Sequence, residues 1–281
     1  MRLTRVILLV IAAMLLLTAC REGARGAIDR RFAVEGPVTL VVEVDDADVT
    51  IGASLAGAVV VTGSYDADRY EQTATADGAV VRVQVLRERS LLSLVSEGGA
   101  ELTVRVPPGT AYRVQADETN VTIEAGPIGG GTIETGNGSV TVLGGDGAVT
   151  VRNGDGPVMV EGQHGALDLR TSGADVTVTG HRGGPVTIET SNGAVRYYGT
   201  IEPDSSNELT TTNSSVTVRL TGQPSLLLDA ETTAGVISSR YAVLEPVRGP
   251  GVLRGRIAGG GATLRIRTSN GPIDIGSADV P

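Results

Sequence analysis

Tryptophan and lysine are absent, and phenylalanine occurs once, at Phe32. Aromatic residues are 2% of the chain, so its core must be built from Val, Ile, Leu and Ala. The one cysteine, Cys20, excludes an intramolecular disulfide. The two histidines, His164 and His181, leave little scope for a His-based metal site. Neither a G-x-S-x-G nucleophile elbow nor an H-E-x-x-H zinc helix occurs. Cations are scarce too. The chain carries −9, and the first 19 residues hold Arg2 and Arg5 but no acid. Without those two arginines the net charge is −11, which disfavours nucleic acid as a partner.

Glycine is abundant, at 39 of 281 residues, and it is ordered rather than scattered. Between Gly131 and Val195 a Gly/Asn/Asp turn is followed repeatedly by an apolar–x–apolar triplet. The triplets begin at Val140, Val149, Val158, Leu167, Val176 and Val186, in steps of 9, 9, 9, 9 and 10. Alternation of period two signals a strand with its first and third residues buried. A unit this short cannot bury its own apolar face, whereas stacked copies share one core. The pattern predicts an all-β, β-solenoid (β-helix-like) stack of short strands with Gly/Asn turns. Paired units give about 18–20 residues per coil, and coils spaced by about 4.8 Å.

The N-terminus reads as an address. Arg2 and Arg5 precede the apolar run Val6 to Leu17, and Leu17-Thr18-Ala19-Cys20 resembles a bacterial lipobox. A lipoprotein signal over 1–19 is expected, with Cys20 lipidated. The protein is then exported and anchored by that lipid to the bacterial cell membrane or outer membrane. Residues 20–35 read as a tether, and 36–281 as one solenoid domain with irregular excursions near 64–100 and 238–262. Gly36-Pro37-Val38-Thr39-Leu40 nearly repeats Gly184-Pro185-Val186-Thr187-Ile188, which joins the first coils to the central array. The Arg-rich strand Leu264-Arg265-Ile266-Arg267 suits a charged terminal edge.

Thr190-Ser191-Asn192-Gly193-Ala194-Val195 and Thr268-Ser269-Asn270-Gly271-Pro272-Ile273 share a T-S-N-G-x-[VI] unit. Val104-Arg105-Val106-Pro107-Pro108-Gly109-Thr110 forms a V-x-V-P-x-G-T element. With these, residues 36–276 resemble the bacterial putative-adhesin β-strand-repeat family of envelope proteins. The sequence departs from that pattern at Asn153-Gly154-Asp155-Gly156 and at Thr211-Thr212-Asn213-Ser214. The resemblance implies a surface binding or structural role and brings no catalytic residues. It also implies an alternative, an envelope-stress accessory that binds a membrane regulator.

Chemistry beyond this is thin. Asp146 and His164 stand three residues before alternate triplets, those at Val149 and Leu167, one coil apart, and His181 follows one coil on, which marks Asp146, His164 and His181 as a candidate surface edge. A third metal ligand is missing. Asp146 comes too early for the calcium-binding nonapeptide pattern. Asp168, Arg170 and Glu189 could serve a polysaccharide-acting β-helix enzyme, a remote third reading. The expectation is therefore a non-enzymatic module without cofactor or metal. Its partners are the membrane, through Cys20, and a surface protein or polysaccharide.

Overall fold

The computed structural model describes residues 25–54, 57–88 and 99–278. Among them there is no helix; 25 strands form two long sheets of 12 and 13 strands. The lipobox residues Leu17, Thr18, Ala19 and Cys20 lie outside the described residues.

The first seven strands build one end of the stack: β1 (Arg25–Ala33), β2 (Thr39–Val44), β3 (Ala47–Ala53), β4 (Ala58–Asp66), β5 (Tyr70–Asp77), β6 (Val80–Arg87) and β7 (Ala100–Val106). The repeat then runs alternately between the sheets. One sheet receives β8 (Ala111–Ala116), β10 (Gly131–Thr135), β12 (Val149–Asn153), β14 (Leu167–Thr171), β16 (Val186–Glu189) and β18 (Ser206–Thr210). The other receives β9 (Val121–Ile123), β11 (Val140–Leu143), β13 (Val158–Glu161), β15 (Val176–His181), β17 (Val195–Gly199) and β19 (Val216–Leu220). The far end holds β20 (Leu226–Thr232), β21 (Ile237–Ser239), β22 (Val243–Gly249), β23 (Val252–Ile257), β24 (Ala262–Thr268) and β25 (Ile273–Ser277). We call the 13-stranded sheet, which runs from β22 to β5, sheet B, and its partner sheet A.

Each coil places one strand in each sheet, paired in parallel and in register with the coils on either side. Equivalent positions in sheet B step from Gly131 to Val149, Leu167 and Val186, which are offsets of 18, 18 and 19 residues. The first and third triplet residues are buried throughout the array; Val151, Val160, Leu169, Val178 and Ile188 are completely so. Each such side chain contributes about 1.5–3 kcal/mol.

The T-S-N-G unit has two structural meanings. Its Thr is buried at the corner and donates to a carbonyl of the adjacent coil: Thr190 to Ala174 (3.1 Å), Thr211 to Gly193 (2.8 Å), Thr268 to Ser214 (2.8 Å). Its Asn belongs to an exposed ladder in which Asn270 donates to Asn213, and Asn213 to Asn192, both at 2.8 Å. The departures from the motif keep this arrangement. Asn153 takes the Thr place, donating at 2.8 Å to the carbonyls of Gly138 and Gly156. Thr211-Thr212-Asn213-Ser214 retains both columns and loses only the Gly. Thr211→Val keeps the shape but leaves the Gly193 carbonyl without that donor. A loss of about 1–3 kcal/mol is expected in urea unfolding.

Three sequence expectations need correction. Residues 25–33 of the expected tether form β1, which pairs antiparallel with β4 along the edge of sheet A. Ile28 supplies the reason, since it is buried against the end of the core while its neighbours stay exposed. The strand Leu264–Arg267 lies inside sheet B, between β18 and β20, and is no terminal edge. Its arginines face carboxylates there; Arg267 bonds Asp229 at 2.7 Å and Glu231 at 3.1 Å. The excursion near 238–262 is a hairpin, β22 with β23, laid antiparallel on β20.

Candidate functional site

The edge formed by Asp146 and His164 exists. The two residues bridge in parallel, with His164 Nδ1 3.6 Å from Asp146 Oδ1, and both are exposed. The third member of the row is Arg182, not His181. A guanidinium there opposes a bound cation.

His181 is fully buried. The corner sets this. Gly144, Gly162 and Gly180 all adopt positive φ, at 72°, 65° and 68°. The residue after the second and third of these turns inward, giving buried Gln163 and His181. Sequence reasoning paired His164 with His181, a step of 17, whereas the coil advances by 18. The glycine before each of Gln163 and His181 was the available signal.

Within the core, His181 Nε2 lies 2.7 Å from the Gly165 carbonyl, and Nδ1 lies 2.9 Å from the Tyr197 hydroxyl. That hydroxyl is also 2.5 Å from the Thr200 carbonyl. With Nε2 donating to Gly165, a neutral imidazole accepts at Nδ1, and the single Tyr197 proton is divided between Nδ1 and Thr200. Burial pushes the His181 pKa below its ordinary value, against the opposing pull of the Gly165 carbonyl and the Glu202 charge. Burial, with Glu202 adding to it, raises that of Tyr197.

The more developed surface is the outer face of sheet B. In-register stacking aligns Gln115, Glu134, Arg152, Arg170 and Glu189 in one column across β8, β10, β12, β14 and β16. Asp168 stands beside it and binds both arginines: Arg152 Nη2 at 2.5 Å and Arg170 Nε at 3.2 Å. Arg170 also reaches Glu189 at 3.3 Å, and Arg113 approaches Glu134 at 3.8 Å. Partial burial works to raise the Asp168 pKa, but the bonds from Arg152 and Arg170 outweigh it and hold the carboxyl below its usual range. Asp168 is therefore ionised at neutral pH and cannot act as a general acid. The structure thus joins Asp168, Arg170 and Glu189, and adds Arg152 and Glu134. The 18-residue offset from Glu134 to Arg152 to Arg170 was the signal for the additions.

Between this column and the corner turns runs an open groove of about 580 Å³. It spans five strands, or about 19 Å at the usual strand spacing. Ser172, Ser191 and Asp117 line its corner side.

The family profile described as Toastrack DUF4097 matches residues 38–276. The chain belongs to the Toastrack DUF4097 family. The match covers nearly all of the described stack and the span over which the sequence resembles the adhesin-repeat proteins. Among solved structures, the Toastrack chain is similar to a putative adhesin from Parabacteroides distasonis ATCC 8503. The identity is 11%, with 90% of this chain and 98% of that one covered and a TM-score of 0.42. A putative adhesin from Parabacteroides merdae ATCC 43184 is 9% identical, with 90% and 97% covered and a TM-score of 0.42. A putative adhesin from Bacteroides fragilis NCTC 9343 is 10% identical, with 91% and 98% covered and a TM-score of 0.35. No curated protein matches the sequence.

Proposed function

We propose that this Toastrack protein is a lipid-anchored, non-enzymatic binding module of the bacterial cell envelope, and that the outer face of sheet B is its contact surface. The observation that carries this reading is the groove beside the Glu134–Arg152–Arg170–Glu189 column. It is long, polar and open, and its two arginines are held from beside it by Asp168, a carboxylate locked between them. Such a surface suits holding a partner rather than moving protons. Stacked parallel strands provide a rigid frame for presenting it. A photo-crosslinking residue at Ser172 in living cells should capture an envelope component. Capture of nothing, or only of cytoplasmic proteins, would overturn the reading.

The anchor rests on the lipobox resemblance at Leu17-Thr18-Ala19-Cys20. Cys20→Ala should move the protein from the membrane fraction to the soluble or secreted fraction. Unchanged membrane retention would rule the lipid out.

A second reading, an accessory protein that binds a membrane regulator, is favoured by the far end of sheet B. There β22 exposes Leu244 (47%) and Val247 (60%). Pull-down from solubilised membranes separates the two. Under this reading Leu244→Ser with Val247→Ser abolishes capture, whereas groove changes leave it intact.

A further inference from the structure

We propose that the groove on sheet B binds an uncharged, extended polysaccharide, recognised through its hydroxyl groups. This rests on the binding-module reading above and names its ligand class.

An anionic polymer fits poorly. Both groove arginines are already engaged, Arg152 by Asp168 and Arg170 by Asp168 and Glu189. An incoming anion would have to displace those carboxylates and then face Glu134 and Asp117 as well. A cationic polymer meets the reverse obstacle in Arg152 and Arg170. A peptide would need pockets for its side chains or a free strand edge. Ala116 is the one apolar side chain among the lining residues, and β8 to β16 are each paired on both sides. Planar-ring stacking is unavailable, because no aromatic residue lines the groove.

What remains is a ligand that both donates and accepts at regular intervals. Glu134 and Glu189 accept; Arg152 and Arg170 donate; Gln115, Ser172 and Ser191 do both. The column sets one such group on each strand, about 4.8 Å from the next. Sugar hydroxyls have this dual character, and neighbouring hydroxyls can match a carboxylate or a guanidinium fork two at a time. The groove follows the stack axis over five coils, so the ligand must be a chain of several sugars rather than a monosaccharide.

The test uses the full-length protein in detergent on an array of neutral, uronate-bearing, sialylated and phosphorylated glycans. Binding to neutral oligosaccharides is expected, with affinity changing less than about twofold between ~50 and ~500 mM salt. Glu134→Gln with Glu189→Gln should weaken it at least about tenfold. Glu189 is exposed and Glu134 half-exposed, and both are surface bridge partners, so the thermal midpoint should hold. Arg196→Gln, on sheet A, should leave binding unchanged. Binding to nothing on the array, to acidic glycans alone, or equally by the double variant would overturn the proposal. If glycan binding fails while Ser172 crosslinks a protein in cells, the ligand class falls and the binding-module reading stands.

Discussion

Gly138→Ala should lower stability by about 3 kcal/mol or more, the upper range for forcing extra volume into a packed interior. A methyl at Gly138 would sit 1.4 Å from the Thr119 carbonyl oxygen of the adjacent coil. That atom is backbone, held in the stack on both sides, and cannot swing away. The same column contains Gly156, Gly193 and Gly271, whose added methyls would come within 1.9, 1.8 and 1.9 Å of the carbonyls of Gly138, Ala174 and Ser214. Side chains are not banned from the column, since Thr119, Ala174 and Ser214 occupy it. Each of those is followed on the next coil by a glycine: Gly138, Gly193 and Gly271. The rule is therefore one of succession: in this column no two residues with side chains follow one another, and each of these glycines faces the backbone carbonyl of the residue beneath. Gly99→Ala is the control. No described residue lies within 4 Å of its methyl, and a change within about 0.5 kcal/mol is expected. Urea midpoints of the two variants check this, and equal midpoints would refute the succession rule.

His181→Ala should cost a comparable amount, about 3–5 kcal/mol. It empties a fully buried ring and strips the Gly165 carbonyl and the Tyr197 hydroxyl of a partner. His181→Gln should recover most of the loss, because Gln163 already occupies the equivalent place one coil away and bonds the Gly147 carbonyl at 2.8 Å. The two variants also carry a pH signature. Burial holds the folded His181 pKa below its unfolded value, so the unfolded chain takes up the proton first on acidification. The contribution of neutral His181 is thus intact above pH ~6.5, the unfolded value, and is lost as pH falls below it. The slope is at most about 1.4 kcal/mol per pH unit. Below pH ~5 the ionised carboxylates of Asp168, Asp175, Asp229 and Asp274 add their own loss, because their folded pKa values are also depressed. The diagnostic window is therefore about pH 5–6.5, where wild type should lose stability and His181→Gln should not. A parallel decline in both would assign the effect elsewhere.

The central array was legible because its information is local. Alternation in Val140-Thr141-Val142 and its copies names the strand, the buried face and the step at once. The same alternation buries Tyr197 and leaves Tyr198 half-buried on the outer side. The ends were less legible. At β1, β5 and β22 the chain pairs antiparallel, so the 18-residue offset no longer says which strand is next. The site was legible by residue but not by neighbourhood. Asp168, Arg170 and Glu189 stood out as charges, yet their grouping depends on an offset that must be right to one residue. The same sensitivity separates His181 from Arg182. A strand counts in twos, so a slip of one carries a side chain from surface to core.

The strand order has one more consequence. At the far end β24 and β25, nearly the last residues described, lie between the coil of β18 and β19 and the coil of β20 and β21. The near end repeats the device, with β2 and β3 enclosed between β6 and β7 on one side and β8 and β9 on the other. A chain emerging from the N-terminus can therefore zip its middle coils in order but cannot finish either end in order. The tip formed by β20 to β23 has no seat on the body until residues 262–277 arrive beneath it. Assembly finishes with an insertion rather than an addition, and stopping the chain at 261 would leave a half-built rod with its raw edge at β18 and β19.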